Sequence, residues 1–164
     1  MADQPKRWLS KEEQQLWRAF ISAQSRLYKI LNFDLETNAG FDHLTYEIFV
    51  NLSESENQSM RMTDLAKSVS ANKSRLTYRV TQLEQDGFVK RVDALEDGRG
   101  QVCVLTKKGF AILEKFAPMH VDGVLSNFIE PISGEDVKHL TDVFNSIAPI
   151  DEAICKKVSP DENC

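Results

Sequence analysis

Residues 62–87 read MTDLAKSVSANKSRLTYRVTQLEQDG, and this pattern predicts two helices separated by a short turn. Thr63 is the expected N-cap of the first helix, because its hydroxyl can accept a hydrogen bond from the first turn. Leu65 and Val69 then face inward. The polar residues of segment 70–72 break the helical pattern and predict the turn.

The second helix is predicted from Lys73 to Asp86, with Asn72 or Ser70 as its N-cap. Gly87 is the expected residue that ends it, since glycine adopts the left-handed conformation found after helix C-termini. The apolar residues of this helix recur every three or four positions, at Leu76, Val80 and Leu83. Two helices joined by such a turn form a helix-turn-helix.

A strand pair is predicted directly after this helix. Phe88–Val92 and Gln101–Leu105 are rich in β-branched residues, and the polar, glycine-containing segment 93–100 lies between them. A strand pair with a long tip after a helix-turn-helix is typical of a wing.

Long amphipathic helices are predicted on either side of this region. Ser10 and Glu13 form a capping box for the first helix, which ends in a turn at residues 38–40. Its apolar stripe consists of Leu16, Phe20, Ala23, Leu27 and Ile30. Thr45 is the expected cap of a short second helix, and a polar loop covers residues 53–59.

After the wing, Thr106 is the expected cap of another long helix, in which Pro118 should produce a kink or a register shift. A last helix begins after residues 131–133 and ends at Pro149. Long amphipathic ends that flank a small core usually pack together, and often do so across a dimer.

The predicted fold class is therefore mainly α with a small β-wing, in one domain. A winged helix-turn-helix lobe at residues 45–109 is flanked by long helices at residues 10–33 and 110–148. Residues 149–164 form an acidic tail.

The net charge of −5 is unfavourable for binding nucleic acid, but the charge is unevenly distributed. Residues 61–109 hold ten Lys or Arg and six Asp or Glu, which gives this stretch +4 and the remainder −9. A basic middle between acidic ends is compatible with DNA binding.

Other function classes have no support in the sequence. No catalytic or phosphate-binding motif is present, so we do not expect an enzyme or a cofactor. The cysteines and histidines are too scattered to predict a metal site or a disulfide scaffold. With no long apolar run and no apolar segment near the N-terminus, neither a membrane span nor a secretory signal is expected, which favours a cytoplasmic protein.

Four short motifs carry a family resemblance. They are Leu-Ala at 65–66, Leu-Glu-x-x-Gly-Phe-Val-x-Arg at 83–91, Asp-x-Arg at 97–99 and Leu-Thr-x-x-Gly at 105–109. Together they resemble the MarR family of bacterial transcription regulators, over about residues 16–147. The resemblance implies a cytoplasmic DNA-binding protein whose first and last helices form a homodimer.

The second helix of a helix-turn-helix normally enters the DNA major groove with its N-terminal residues foremost. The candidates for DNA contact on its outward face are Lys73, Ser74, Arg75, Thr77, Tyr78 and Arg79. Arg75 and Arg79 are suited to guanine edges or phosphates. The alternative is that these residues are only the solvated face of an amphipathic helix.

The wing supplies a second set of candidates. Arg99, at the predicted tip, is suited to the minor groove, and Asp97 is the expected support for the wing. Further phosphate contacts are expected from Lys90, Arg91, Lys107 and Lys108.

Two kinds of regulation are predicted. Members of this family commonly release DNA when a small, often aromatic or phenolic ligand binds between the dimer helices and the DNA-binding lobe. The candidate lining is Trp17, Phe20, Tyr46 and Phe110, although each is also a plausible core residue. The second kind is oxidation of a cysteine, for which the candidates are Cys103, Cys155 and Cys164, with buried or idle cysteines as the alternative.

The sequence therefore predicts a homodimeric regulator that binds a near-palindromic site in double-stranded DNA. Repression is the expected role, because it is common in the family. The alternative function is a winged-helix protein-interaction module that does not bind DNA, which the net negative charge would suit.

Overall fold

A computed structural model describes residues 7–94 and 100–147 of the chain. The element order is α1 Lys11–Ala39, α2 His43–Glu54, β1 Ser59–Arg61, α3 Met62–Ser68, α4 Lys73–Gln85, β2 Val89–Asp93, β3 Gln101–Leu105, α5 Lys107–Val124 and α6 Gly134–Ile147. Short 3-10 and π-helical segments occupy Glu56–Gln58 and Leu125–Ile129. A mainly helical chain with one small antiparallel sheet confirms the predicted fold class.

Helix α1 begins with the predicted capping box, in which Ser10 and Glu13 each accept a hydrogen bond from the other's backbone N–H. The helix extends to Ala39, and Gly40, the last residue of the predicted turn at 38–40, is its C-cap, with a left-handed φ of 75°. The side-chain amide of Asn38 donates to the carbonyl of Asp34 at 2.9 Å, so Asn38 supports the last turn of the helix.

The predicted cap of α2 was wrong. Asp42, not Thr45, caps this helix, because the helix begins at His43 and Thr45 occupies its third position. The Asp42 carboxylate accepts hydrogen bonds from the Thr45 backbone N–H at 3.0 Å and from the Thr45 hydroxyl at 2.8 Å.

Strand β1 was missed, because its three residues lie in a polar stretch and show no alternation that a sequence pattern could reveal. It pairs antiparallel with β3, and the sheet order is β1-β3-β2. Helix α3 follows directly and begins at Met62, so Thr63 lies inside the helix and is not its cap.

The wing strands and the cap of α4 agree with the sequence. Strand β3 has the predicted bounds, and β2 is displaced by one residue from the prediction. The Asn72 side chain accepts from the Arg75 N–H at 2.9 Å, and Gly87 adopts a left-handed φ of 75° after the helix.

Helix α5 begins at the predicted cap, Thr106, whose hydroxyl oxygen accepts from the Gly109 N–H at 3.1 Å. Glycine is required at position 109, because a Cβ atom there would lie 2.3 Å from the Phe88 carbonyl oxygen. The helical conformation continues through Pro118 to Val124, and the π-helical segment follows it.

The hydrophobic core lies beneath α4 and the sheet, with α2 at its centre. Its fully buried members include Leu35, Ile48, Phe49, Leu52, Leu65, Leu76, Val80, Val89 and Cys103. In contrast, most of the large apolar residues of α6 and of the N-terminal half of α1 are exposed, although Phe20 and Phe144 approach to 6.0 Å between ring centroids. No helix in the described part of the chain is long and apolar enough to cross a membrane.

Candidate nucleic-acid interface

Helix α4 presents a polar face away from the core. Leu76, Val80 and Leu83 are buried, so the residues between them are turned outward. Five of the six predicted contact residues are exposed as expected: Lys73, Ser74, Arg75, Thr77 and Tyr78. The Thr77 hydroxyl donates to the Lys73 carbonyl at 2.8 Å, which leaves its methyl group as the outward part.

Arg79 departs from the prediction, because its side chain is only 29% exposed and is held inside the protein. Its Nη2 lies 2.6 Å from Asp42 Oδ2, and its Nη1 donates to Gln82 Oε1 at 3.0 Å. Arg75 remains more exposed, with its Nη2 3.7 Å from the same carboxylate oxygen.

The Asp42 carboxylate is suited to hold these arginines. Burial opposes its ionisation, but hydrogen bonds from Thr45 and the charge of Arg79 outweigh that effect and lower the pKa of Asp42 below its usual value. The carboxylate is therefore charged at neutral pH and ties the N-terminus of α2 to the middle of α4.

A second ion pair, between Glu84 and Arg91, attaches the end of α4 to the wing. Glu84 accepts from the backbone N–H of Arg91 at 2.8 Å and from its guanidinium at 2.9 and 2.5 Å. These hydrogen bonds lower the pKa of Glu84. The two residues belong to the same family motif, and the structure shows that this motif joins helix to strand.

The four predicted phosphate contacts fall into two groups. Lys90 and Lys107 are exposed. Arg91 is engaged by Glu84, while Lys108 donates to the Asp86 carbonyl at 2.7 Å and lies 4.6 Å from the centroid of the Phe88 ring. Arg91 and Lys108 thus stabilise the junction between α4, β2 and α5.

At the base of the wing, the Ala94 N–H donates to the Gly100 carbonyl at 3.0 Å. The predicted wing residues Asp97 and Arg99 lie outside the described residues. Arg61 was not among the predicted contacts, yet β1 places it at the base of the wing. Its Nη1 lies 3.8 Å from the position that a Cβ atom would occupy at residue 100. The missed strand explains why the sequence did not indicate this basic residue.

The four predicted ligand-pocket residues lie in different parts of the described structure. Phe20 lines a cavity of about 550 Å³ between α1 and the segment from Ser126 to Phe144. Trp17 is a neighbour of Phe20, at 6.2 Å between ring centroids. Tyr46 is instead buried in the core, and Phe110 packs against the edge of that core.

Cys103 lacks the properties of a redox sensor. It is fully buried in β3, and burial, together with the nearby Glu84 charge, raises the pKa of its thiol to about 12. A reactive cysteine needs an accessible thiolate, so the structure does not support the prediction for Cys103. Cys155 and Cys164 lie outside the described residues. Across residues 7–94 and 100–147, no group of three or more His, Cys, Asp or Glu side chains is placed to hold a metal ion.

Sequence reasoning missed an aromatic cluster where α1, α2 and α5 meet. It consists of Tyr28, His43, Tyr46 and His120, with 4.1 Å between the ring centroids of Tyr46 and His120 and 5.5 Å between those of the two histidines. Burial, followed by the effect of His43, lowers the pKa of His120 to about 4. Because His43 and His120 are far apart in the chain, no spacing rule could have placed them together.

Comparisons with known proteins agree on one family. The MarR family model matches residues 44–100. Sco3205, a MarR family transcriptional regulator from Streptomyces coelicolor solved in complex with DNA, is 38% identical, with a TM-score of 0.84 over 89% of this chain and 91% of that one. AbsC, a MarR family regulator from the same organism, is 39% identical, with a TM-score of 0.82 over 87% and 96%.

A relative of known role points the same way. The transcriptional repressor YetL of Bacillus subtilis (strain 168) is 30% identical over 112 residues, which are 66% of this chain and 67% of YetL. These relatives are regulators of transcription, not enzymes.

Proposed function

Since this chain belongs to the MarR family of DNA-binding transcription regulators, we propose that it is a homodimeric repressor of a near-palindromic operator. The observation that carries the proposal is the outward face of α4, which offers two cations and three hydroxyl-bearing residues on a rigid helix. A helix of this kind fits the DNA major groove. Because the proposed target is DNA and the relatives are bacterial proteins, the proposed place of action is the cytoplasm.

The homodimer is supported by the exposed apolar faces of the two chain ends. In the N-terminal half of α1 the exposed large apolar residues are Leu16, Trp17, Phe20 and Ile21, and in α6 they are Val137, Val143, Phe144 and Ile147. A contiguous apolar surface of this kind marks an interaction site. A second copy that covers it would place two α4 helices about one DNA turn apart.

The proposed contacts divide by chemistry. Arg75 is the residue best suited to a guanine edge, since its guanidinium is exposed near the N-terminus of α4. Lys73, Lys90 and Lys107 are proposed to contact phosphates, and Arg99 to enter the minor groove. Asp97 is proposed to support the wing.

A small aromatic or phenolic effector is proposed to change the spacing of the two α4 helices. The aromatic cluster and the 550 Å³ cavity both lie between the long helices and offer aromatic surfaces for such a molecule. A thermal-shift screen of phenolic acids, followed by DNA-release assays on the hits, tests this regulation. A panel without any stabilising compound would contradict it.

The first experiment measures binding of the purified protein to double-stranded oligonucleotides that it selects from a random pool. Scrambled DNA and two salt concentrations serve as references. Arg75→Ala should weaken binding to the selected DNA by about 1–3 kcal/mol, as expected for one lost base contact. Lys73→Ala should reduce the slope of log K against log salt by about 1.

Lys115→Ala is the matched control, since it removes an exposed lysine from α5 without touching α4. It should leave both quantities unchanged. If the wild-type protein selects no DNA even at low salt, the proposal fails and a winged-helix protein-interaction module becomes the better description.

A further inference from the structure

A chain of hydrogen bonds runs from the corner between α1 and α2 to the exposed end of Tyr78. Asp42 holds Arg79 at 2.6 Å, Arg79 donates to Gln82 Oε1 at 3.0 Å, and Gln82 Nε2 lies 3.0 Å from Tyr78 Oη. We infer that Asp42 and Gln82 are positioning residues that fix the Tyr78 hydroxyl as a hydrogen-bond donor to a DNA phosphate. This inference rests on the proposed role of α4.

The chain begins at a fixed point. The Asp42 side chain is 12% exposed, and its Oδ1 already accepts two hydrogen bonds from Thr45 at the start of α2. Because the hydrogen bonds from Thr45 fix the position of this carboxylate, it holds the Arg79 guanidinium at the α1–α2 corner. Arg79 is thereby assigned to positioning and not to a base edge.

The direction of each hydrogen bond follows from the donors available. A guanidinium has only N–H donors, so the Gln82 atom that faces Arg79 must be its carbonyl oxygen. The amide nitrogen of Gln82 then faces Tyr78 and donates to the phenol oxygen. The charge on Arg79 thus determines which way round the Gln82 amide lies.

The consequence is a hydroxyl of defined polarity. With its oxygen accepting from Gln82, the Tyr78 O–H directs its own hydrogen elsewhere. Tyr78 is 64% exposed, and it neighbours Arg75 on the helix surface because the two residues are three positions apart. A phosphate oxygen only accepts hydrogen bonds, so it matches a hydroxyl whose acceptor side is already occupied.

A double-mutant cycle with Tyr78→Phe and Gln82→Met tests the link between these two residues. Each single variant should weaken binding to the selected DNA about fivefold, the effect of one net hydrogen bond. The double variant should be no weaker than either single variant, because Gln82 acts through the hydroxyl. Losses that multiply would overturn the inference.

Asp42→Asn tests the anchor. Asparagine still caps a helix, so α2 should form normally, but the ion pair with Arg79 is lost. If Asp42 were only a negative charge near DNA, its removal would tighten binding to every DNA. The positioning role instead predicts that binding to the selected DNA weakens about fivefold, and that Asp42→Asn causes no such loss in a Tyr78→Phe background. Tighter binding, or an equal loss in the Tyr78→Phe background, would overturn the inference.

Arg75→Ala, measured in the same assay, separates this inference from the proposed function. If the wild-type protein selects no DNA, or if Arg75→Ala binds as well as wild type, the proposed role of α4 fails and the inference fails with it. If Arg75→Ala binds more weakly while the Tyr78 and Gln82 losses multiply, only the inference about positioning fails.

Discussion

The proposed DNA-binding lobe (residues 45–109) and the chain-end helices (residues 11–25 of α1 together with α6) use the same kind of amphipathic helix in different ways. In the lobe, the stripe of α4 is covered by the chain itself, and Leu76 and Val80 are fully buried. In the chain-end helices, Phe20 and Phe144 remain about two-fifths exposed. An apolar stripe therefore indicates that a face needs a cover, but not whether the cover comes from the same chain.

The largest expected effect is on the free energy of unfolding, for a substitution in the core of the lobe. Phe49→Ala removes a fully buried ring that packs edge-on against Phe41 and Phe88. The free energy of unfolding should fall by about 3–5 kcal/mol, because a cavity replaces the ring. Urea unfolding measures it, and Phe33→Ala, at a 64% exposed position of α1, is the control that should stay within about 0.5 kcal/mol. Equal losses in the two variants would contradict the division into covered and uncovered faces.

The second prediction breaks the chain-end contact. Phe20→Asp places a charge on the proposed dimer face, so the dimer dissociation constant should rise about 100-fold or more, since burying an unpaired charge costs several kcal/mol. Sedimentation velocity over a range of concentrations measures the change. Phe33→Asp makes the same replacement on another side of α1 and should leave the dimer intact. If Phe20→Asp associates as well as wild type, the chain-end helices are not the dimer surface.

The smallest expected effect concerns the junction between the two regions, where His120 lies against Tyr46. The folded pKa of His120 is lowered to about 4 from 6.5, so the unfolded chain binds the proton more readily. Stability should therefore be complete above pH 6.5 and decline as the pH falls toward 4. Partial exposure limits the loss between pH 7 and pH 5 to about 1 kcal/mol.

His120→Phe keeps an aromatic ring but cannot be protonated, so it should flatten this pH dependence. Urea unfolding at pH 7 and pH 5 provides the measurement. A variant that still loses as much stability as the wild type over this range would show that another group is responsible.

Features that depend on neighbours within four residues were predictable. The capping box at Ser10, the caps Asn72 and Thr106, and the left-handed Gly87 each follow from local hydrogen bonding and backbone freedom. The predicted caps of α2 and α3 were wrong, because more than one nearby residue could begin each helix. Thr45 and Thr63 are good caps in isolation, but the observed N-caps, Asp42 and Arg61, lie three and two residues earlier.

Features that depend on distant partners were not predictable. Strand β1 is identified only by its pairing with β3, more than 40 residues later. The sequence assigned Arg79 to the outward face, since nothing near it revealed that Asp42 would hold it. The same reason applies to Cys103, since the burial that raises the pKa of its thiol depends on the core that packs against the sheet.

The order of the helices and of strands β2 and β3, the polar face of α4 and the family motifs could thus be read from the chain, because periodicity and capping act over a few residues. The tertiary structure alone decided which basic residues are exposed and which are held in ion pairs, as Arg75 and Arg79 illustrate. It also decided which apolar faces are covered. These outcomes depend on contacts between elements far apart in sequence, and such contacts exist only once the core has formed.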